Sequence, residues 1–473
     1  MKLLIAVILS CLLSAPSFGA FNSTAIWRTS TVSGSGTNGG AYDPGVASPG
    51  TDESTGAGVA ITVTLATGTT GTCSPVCSAT THGPGNFINI ASGSGCTTGT
   101  FEILSQAAGT ITVDHSMGSA TDACVGRIGG PLASPVTAVG QMVGGNTVCI
   151  KADGTYTVSS QMVPPAGTVN APTTLQGYTS TCPTNDGGQA TLASGTTSFY
   201  LINGPAYQNI FNLILNCASQ TGASALTIAG DESNLNNVLI ENCPANGFYI
   251  ASGNGHTITN SRVTGGTGCN TAFYFSGSVA LTGVVSDTNG CLGFYVGSGV
   301  NFVCTFCIAA NNTGATTDGF QFANANAVGV VVTNSASYGN GRDGFRFTSV
   351  QGLPGSTLKN NYAYGNTGKS FNSSAGSVTL NTMHVDYNAY TSGSLNNISA
   401  GPHDVTLTGD PTVAGASLNF SLNETAGAGG ALRGTGFPNG SFFGSTAYTT
   451  IGPIQPLVNS TATLGGGASA FVQ

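Results

Sequence analysis

The sequence predicts an all-β chain, a right-handed parallel β-helix with a β-rich N-terminal domain, and three observations carry that prediction. First, a short motif built on a small residue, a Phe and a second apolar residue two places later returns through the middle of the chain at steps of 21 to 27 residues. Second, apolar and polar residues alternate within each copy, the period of a strand with one buried face. Third, charged residues make up 6% of the chain, against roughly 25% in ordinary globular domains. Ser, Thr and Asn supply the polar bulk instead, which suits stacked strands and tight turns.

In chain order, Lys2, the apolar run Leu3 to Leu13 and the closing Ser17-Phe18-Gly19-Ala20 read as a signal peptide over residues 1–20, so the mature protein is expected outside the cell. No later stretch is apolar for the ~20 residues a membrane span needs. Residues 21–140 lack the motif and carry Trp27, the Gly-rich Thr37-Asn38-Gly39-Gly40 and the alternating Val59-Ala60-Ile61-Thr62-Val63-Thr64-Leu65. They are expected to form a β-rich domain that caps the helix, since a bare end presents strand edges to other chains. Residues 141–390 hold the β-helix, and 391–473 a C-terminal cap and tail.

The copies begin at Ser198-Phe199-Tyr200-Leu201 and continue through Ala225-Leu226-Thr227-Ile228, Gly247-Phe248-Tyr249-Ile250, Ala272-Phe273-Tyr274-Phe275 and Gly293-Phe294-Tyr295-Val296. Gly319-Phe320-Gln321-Phe322 and Gly344-Phe345-Arg346-Phe347 follow, with Ser370-Phe371 starting another. A second strand is expected in each coil at Ile214-Leu215-Asn216, Ile240-Glu241-Asn242, Ile258-Thr259-Asn260, Val284-Val285-Ser286, Val332-Thr333-Asn334 and Leu358-Lys359-Asn360, with Val303-Cys304-Thr305 filling the remaining coil. The Asn closing most of these is expected to sit at a bend and bond to its neighbours in adjacent coils as a ladder. One coil cannot cover its own apolar face, so coils must stack with parallel strands about 4.8 Å apart. A propeller blade needs ~40 residues, and a leucine-rich horseshoe would show Leu at the inward positions.

On these residues the chain resembles the pectin-lyase-like right-handed β-helix superfamily. The stretch Asn236-Asn237-Val238-Leu239-Ile240-Glu241-Asn242-Cys243 through Ile250 is similar to its repeat, and the resemblance covers about 145–390. Residues Val143 to Tyr156 resemble the opening coil of many such secreted bacterial proteins, and Asp410-Pro411-Thr412-Val413 with Leu418-Asn419-Phe420-Ser421-Leu422 their closing segment. The resemblance implies acidic residues and a Lys or Arg base on one exposed sheet, sometimes with calcium. This chain departs from it, since only Lys151, Lys359 and Lys369 remain after signal removal and no dense Asp cluster accompanies them.

Ten basic residues against eighteen acidic ones leave no basic stripe, which excludes a nucleic-acid partner. Twelve cysteines lie beyond the signal, an even number in a compartment that permits disulfides. Taken consecutively, the near pairs are Cys73 with Cys77, Cys96 with Cys124, Cys149 with Cys182, Cys217 with Cys243, Cys269 with Cys291, and Cys304 with Cys307, other connectivities remaining open. No metal site is expected, because Cys304 and Cys307 have no second close pair beside them. No cofactor is expected either.

Stacking places the middle residue of each copy on one outward column: Tyr200, Thr227, Tyr249, Tyr274, Tyr295, Gln321 and Arg346. Flat rings and a cation along a groove suit a polysaccharide or cell-surface glycan; the same residues also simply suit an exposed sheet. Asp318 and Asp343 each precede an aligned Phe by two, with Arg342 and Arg346 nearby, so adjacent coils are expected to bring two carboxylates and a guanidinium together. That set could serve glycosidic-bond chemistry, with Asp318, Asp343 and Arg346 catalytic, or be an ordinary pair of Asp-Gly turns. Asp231, Glu232, Glu241, His256, Arg262 and Asp287 are further polar positions that no spacing groups, and His384 and Asp386 sit two apart on one expected face. The favoured reading is a non-catalytic carbohydrate-binding or adhesive module. A polysaccharide lyase or glycoside hydrolase, and a phage-derived or cell-surface fibre component, are the alternatives.

Overall fold

The computed structural model describes residues 26–31, 59–77, 86–129, 131–180, 182, 186–195, 198–297, 300–323, 329–348, 355–374, 384–437 and 451–453. The signal peptide, the Gly-rich 37–40 and the C-terminal tail lie outside the described residues. The chain forms two compact units, residues 1–151 with 165–186, and 152–164 with 187–473.

The first unit contains a closed antiparallel barrel of six strands, Val59–Leu65, Thr70–Cys77, Phe87–Ser92, Gly99–Ala107, Gly109–Val113 and Ala123–Gly129. Numbered along the chain, they neighbour one another in the order first, second, fifth, fourth, third, sixth. Closure leaves no open edge. Ile61, Val63 and Leu65 alternate inward, where Ile88, Ile90, Phe101, Ile103, Ile111 and Ile128 complete a filled interior. The same unit holds three parallel strands, Ile26–Thr29, Thr147–Lys151 and Thr173–Tyr178, with Trp27 and Leu175 both registered on Val148.

The second unit is a parallel β-helix. Its aromatic sheet has nine strands, from Ile202–Gly204 to Leu395–Asn396, each registered on the next coil. Phe248, Phe273, Phe294, Phe320, Phe345 and Phe371 form one interior line, with ring centroids 4.6 to 5.0 Å apart and planes within 10° of parallel. Strand spacing sets that distance, and offset stacking makes it favourable.

Each complete coil carries three strands rather than the two expected. After Thr271–Phe275, for example, come Val279–Thr282 and Val285–Asp287. The expected second-strand series therefore mixed two positions. Ile258, Leu281, Cys304, Val332 and Leu358 share one inward column, whereas Ile240, Val263 and Ser286 share another. Short apolar triplets look alike in sequence, and only pairing with the neighbouring coil assigns them.

The bends separate in the same way. At the corner between the second and third strands, Asn237, Asn260, Asn334 and Asn360 adopt left-handed conformations, φ 48 to 58°, which Asn tolerates better than most residues. Asn242 stands at the next corner, and Asn216 makes its own local turn by accepting the Ala218 N–H. Of the expected Asn series, Asn360 bonds its neighbour across one coil step, Nδ2 donating to Asn334 Oδ1 at 3.3 Å. A longer amide ladder runs elsewhere, through buried Asn289, Asn312 and Asn340 to half-buried Asn366, each Nδ2 donating to the next Oδ1 at 2.9 to 3.2 Å. The glycine before Phe320 answers a close approach: a Cβ on Gly319 would lie 2.2 Å from Ser337 Oγ and 2.8 Å from the Gly344 carbonyl oxygen.

All six neighbouring cysteine pairs are bonded. The coil sheets run on to Val405–Leu407, beyond the expected boundary at 390. The chain then folds back as the antiparallel pair Thr412–Ala414 and Asn419–Leu422, and Phe420, Leu422, Leu432 and Ile451 pack with Tyr338 and Tyr362 of the third-strand sheet. Among the described residues no helix is long and apolar enough to cross a membrane.

Candidate functional site

Register on the aromatic sheet stacks Asn203, Thr227, Tyr249, Tyr274, Tyr295, Gln321, Arg346, Asn372 and Asn396 on its outer face. Five of the expected binding residues, Tyr249, Tyr274, Tyr295, Gln321 and Arg346, therefore stand in one column. Tyr200 does not. The strand of that coil starts at Ile202, which bridges Met162 of the preceding turn and fills the slot next to Leu226, so Asn203 takes the expected place of Tyr200. Phe199-Tyr200-Leu201 carries the same local alternation, and pairing with Met162 decided against it.

Tyr274 and Tyr295 stack at 4.7 Å with planes 21° apart, while Tyr249 meets Tyr274 edge-on at 5.0 Å. Burial, with the neighbouring Tyr274, pushes the Tyr295 hydroxyl above its ordinary pKa of 10.0, so it remains a hydrogen-bond donor. Beside these rings lies an open cleft of about 540 Å³ lined by Tyr274, Tyr295, Gln321, Thr317 and Arg342, with the Cys269–Cys291 disulfide in its wall. Tyr249 and Arg346 continue the column beyond it. Thr317 and the disulfide carry no sequence signal for the cleft, because they reach it from turns preceding the strands.

The carboxylates lie at the cleft's margin. Asp318, whose side chain is 0% exposed, accepts Arg342 Nε at 2.6 Å and Arg342 Nη2, and its Oδ1 also takes the Asp343 N–H at 3.1 Å. Asp343 accepts the Lys369 N–H at 2.7 Å and the Asn372 amide at 2.6 Å. Arg346 stands 3.6 Å from Asp318 and 3.9 Å from Asp343, beyond hydrogen-bond range of both. Burial pushes the Asp318 carboxyl up, and Arg342, the Asp343 N–H and Arg346 pull it back without cancelling the rise. In return Asp318 holds Arg342 above its ordinary value. The expected pair thus meets across adjacent coils, each carboxylate turned toward the next coil's backbone as a turn anchor.

Four of the other polar positions, Asp231, Arg262, Asp287 and Asp386, have partners. Arg262 binds buried Asp287 through Nε at 2.6 Å and Nη2 at 2.8 Å. Asp231 accepts the Asn254 N–H. Asp386 pairs with His403 at 2.7 Å, a partner invisible in sequence, and the His403 ring stacks on Tyr387. Among the described residues no group of three or more His, Cys, Asp or Glu side chains is placed to hold a metal ion.

No family model matches the chain, and no curated protein does. Among solved structures it is similar to the pectate lyase Pel9A at 17% identity and a TM-score of 0.46, over 69% of this chain and 91% of that one. It is also similar to a rhamnogalacturonan lyase at 13% identity and a TM-score of 0.36, over 63% and 92%. A third likeness is to the catalytic unit of a thermostable GH87 alpha-1,3-glucanase from Streptomyces thermodiastaticus strain HF3-3, at 12% identity and a TM-score of 0.23, over 72% and 88%. The fold assignment rests on the strand register described above.

Proposed function

We propose that the protein is an exported β-helix whose aromatic sheet presents a carbohydrate-binding face. The observation that carries this reading is the outward column Tyr249, Tyr274, Tyr295, Gln321 and Arg346, beside the open cleft. Sugar C–H faces lie against aromatic rings, and Gln321 and Arg342 offer donors to hydroxyl or anionic oxygens. The apolar N-terminal run and six disulfides support export.

A catalytic reading, a polysaccharide lyase or glycoside hydrolase, draws on Asp318, Asp343 and Arg346 at the margin of the column. It ranks second because both carboxylates are already bound to backbone N–H groups and neighbouring side chains, whereas a general acid or base must reach the reacting oxygen.

Glycan-array binding by the purified chain, paired with an assay for new reducing ends and unsaturated products, separates the two. Binding without product, weakened about tenfold in Tyr274→Ala and Tyr295→Ala at an unchanged melting temperature, is the expected result. Product formation abolished in Asp343→Ala would establish the catalytic reading instead. Affinity indifferent to both Tyr substitutions would remove the column from the site.

A further inference from the structure

The first unit holds a buried charged cluster that the carbohydrate face does not use. Glu102, on the barrel strand Gly99–Ala107, and Lys151, at the end of Thr147–Lys151, are in direct contact through Oε1 and Nζ. Asp114 stands beside Glu102, its Oδ1 accepting the Glu102 backbone N–H at 3.0 Å and bonded to His115 Nδ1 at 2.7 Å. The side chains of Glu102 and Asp114 are each 4% exposed. Two buried rings flank the cluster: Phe101, with its centroid 4.4 Å from that of His115 and the planes tilted by 31°, and Phe87, under the Arg28 guanidinium.

Two oxygens in this cluster, Glu102 Oε2 and Asp114 Oδ2, are buried without a hydrogen-bond partner. An ionised carboxylate in that position bears a desolvation cost that a single cation contact offsets only in part. An amide carries no charge and one oxygen. Condensing Glu102 with Lys151 would remove both charges and the unserved Oε2 together.

We propose that Lys151 and Glu102 are joined by an intramolecular amide bond, formed with Asp114 as the proton carrier. The uncharged Nζ attacks Cδ of the protonated Glu102 carboxyl, forming the C–N bond. Asp114 takes a proton from Nζ and returns it to the departing hydroxyl oxygen, so the C–O bond breaks and one water leaves. No oxidant, reductant or activating group is consumed. Burial pushes the Glu102 carboxyl up, against the hydrogen bond and charge of Lys151 and the charge of Arg28, and the Asp114 charge adds to the rise. That favours the protonated Glu102 carboxyl from which the bond forms. The product ties the barrel to the coil strand Thr147–Lys151 by a link that thiols cannot open.

The test is the intact mass of the full mature chain after disulfide reduction, with its N-terminus read by fragmentation. A mass one water below the sequence value, and a branched peptide joining the Glu102 and Lys151 segments after proteolysis, are expected. Lys151→Arg should restore the full mass, and Asp114→Asn should leave most of the chain uncondensed. A folded wild-type chain of full mass overturns the proposal, whether or not the variants fold. Complete condensation in Asp114→Asn overturns the role given to Asp114.

Discussion

Arg342 grips Asp318 at two points across one coil step, Nε on Oδ1 and Nη2 on Oδ2, and the same Oδ1 accepts the backbone N–H of Asp343. A carboxylate held this way anchors stacking. Asp318→Ala is therefore expected to cost about 3–5 kcal/mol, because it strands the guanidinium and a backbone donor at once. Urea unfolding measures it. A stability unchanged within ~0.5 kcal/mol would contradict the anchoring role and return Asp318 to the catalytic reading.

The interior Phe line makes a second prediction. Phe294 stacks on Phe273 on one side and Phe320 on the other. Phe294→Ala should cost about 3–5 kcal/mol, and Phe294→Leu less, since it keeps more of the volume. Thermal unfolding of the two variants against wild type gives the order, and equal effects would mean that filled volume does not set the loss.

Gly319 predicts a steric effect. Its missing Cβ would fall against Ser337 Oγ and the Gly344 carbonyl, and a backbone carbonyl has little freedom to move. Gly319→Ala is expected to destabilise by about 1–3 kcal/mol. Ser337→Gly in the same chain should recover only part of it, because the carbonyl contact remains. Full recovery in the double variant would show that the hydroxyl alone imposes glycine.

His256 gives the pH dependence. It is 1% exposed, accepts the Ser233 N–H at 3.3 Å through Nδ1, and bonds Ser252 O at 3.0 Å through Nε2. Burial holds its pKa below 6.5, outweighing the Ser252 carbonyl and the charge of Asp231. The unfolded chain therefore takes up the proton first. His256 contributes stability that is present above pH 6.5 and lost as pH falls from there toward its folded value. His256→Gln, which keeps an uncharged donor, should flatten that limb in urea titrations run across this range. An identical slope in wild type and variant would assign the acid loss to other groups.

The aromatic column and the carboxylate pair were both legible in part. Tyr249, Tyr274 and Tyr295 follow from alternation and a nearly constant coil length, and Asp318 and Asp343 from their shared offset to the Phe line. Tyr200 was misassigned because its segment offers two strands in sequence, Phe199 to Leu201 and Ile202 to Gly204, and the local pattern fits the first.

What the sequence determined by itself is the stacking: a side chain's face is set by period two, and repetition at a near-constant step carries each Phe onto the next. The cysteine partners it left open: consecutive cysteines pair two by two, yet Cys96 lies nearer Cys77 than its partner Cys124 along the chain, and Cys291 nearer Cys304 than its partner Cys269. The tertiary structure alone decided which triplets make the second and third strands, which Asn residues turn corners and which form the buried ladder. It alone supplied Met162 for Ile202 and His403 for Asp386. Those choices depend on hydrogen bonds and contacts to other segments of the chain, and local periodicity contains no term for a partner it does not adjoin.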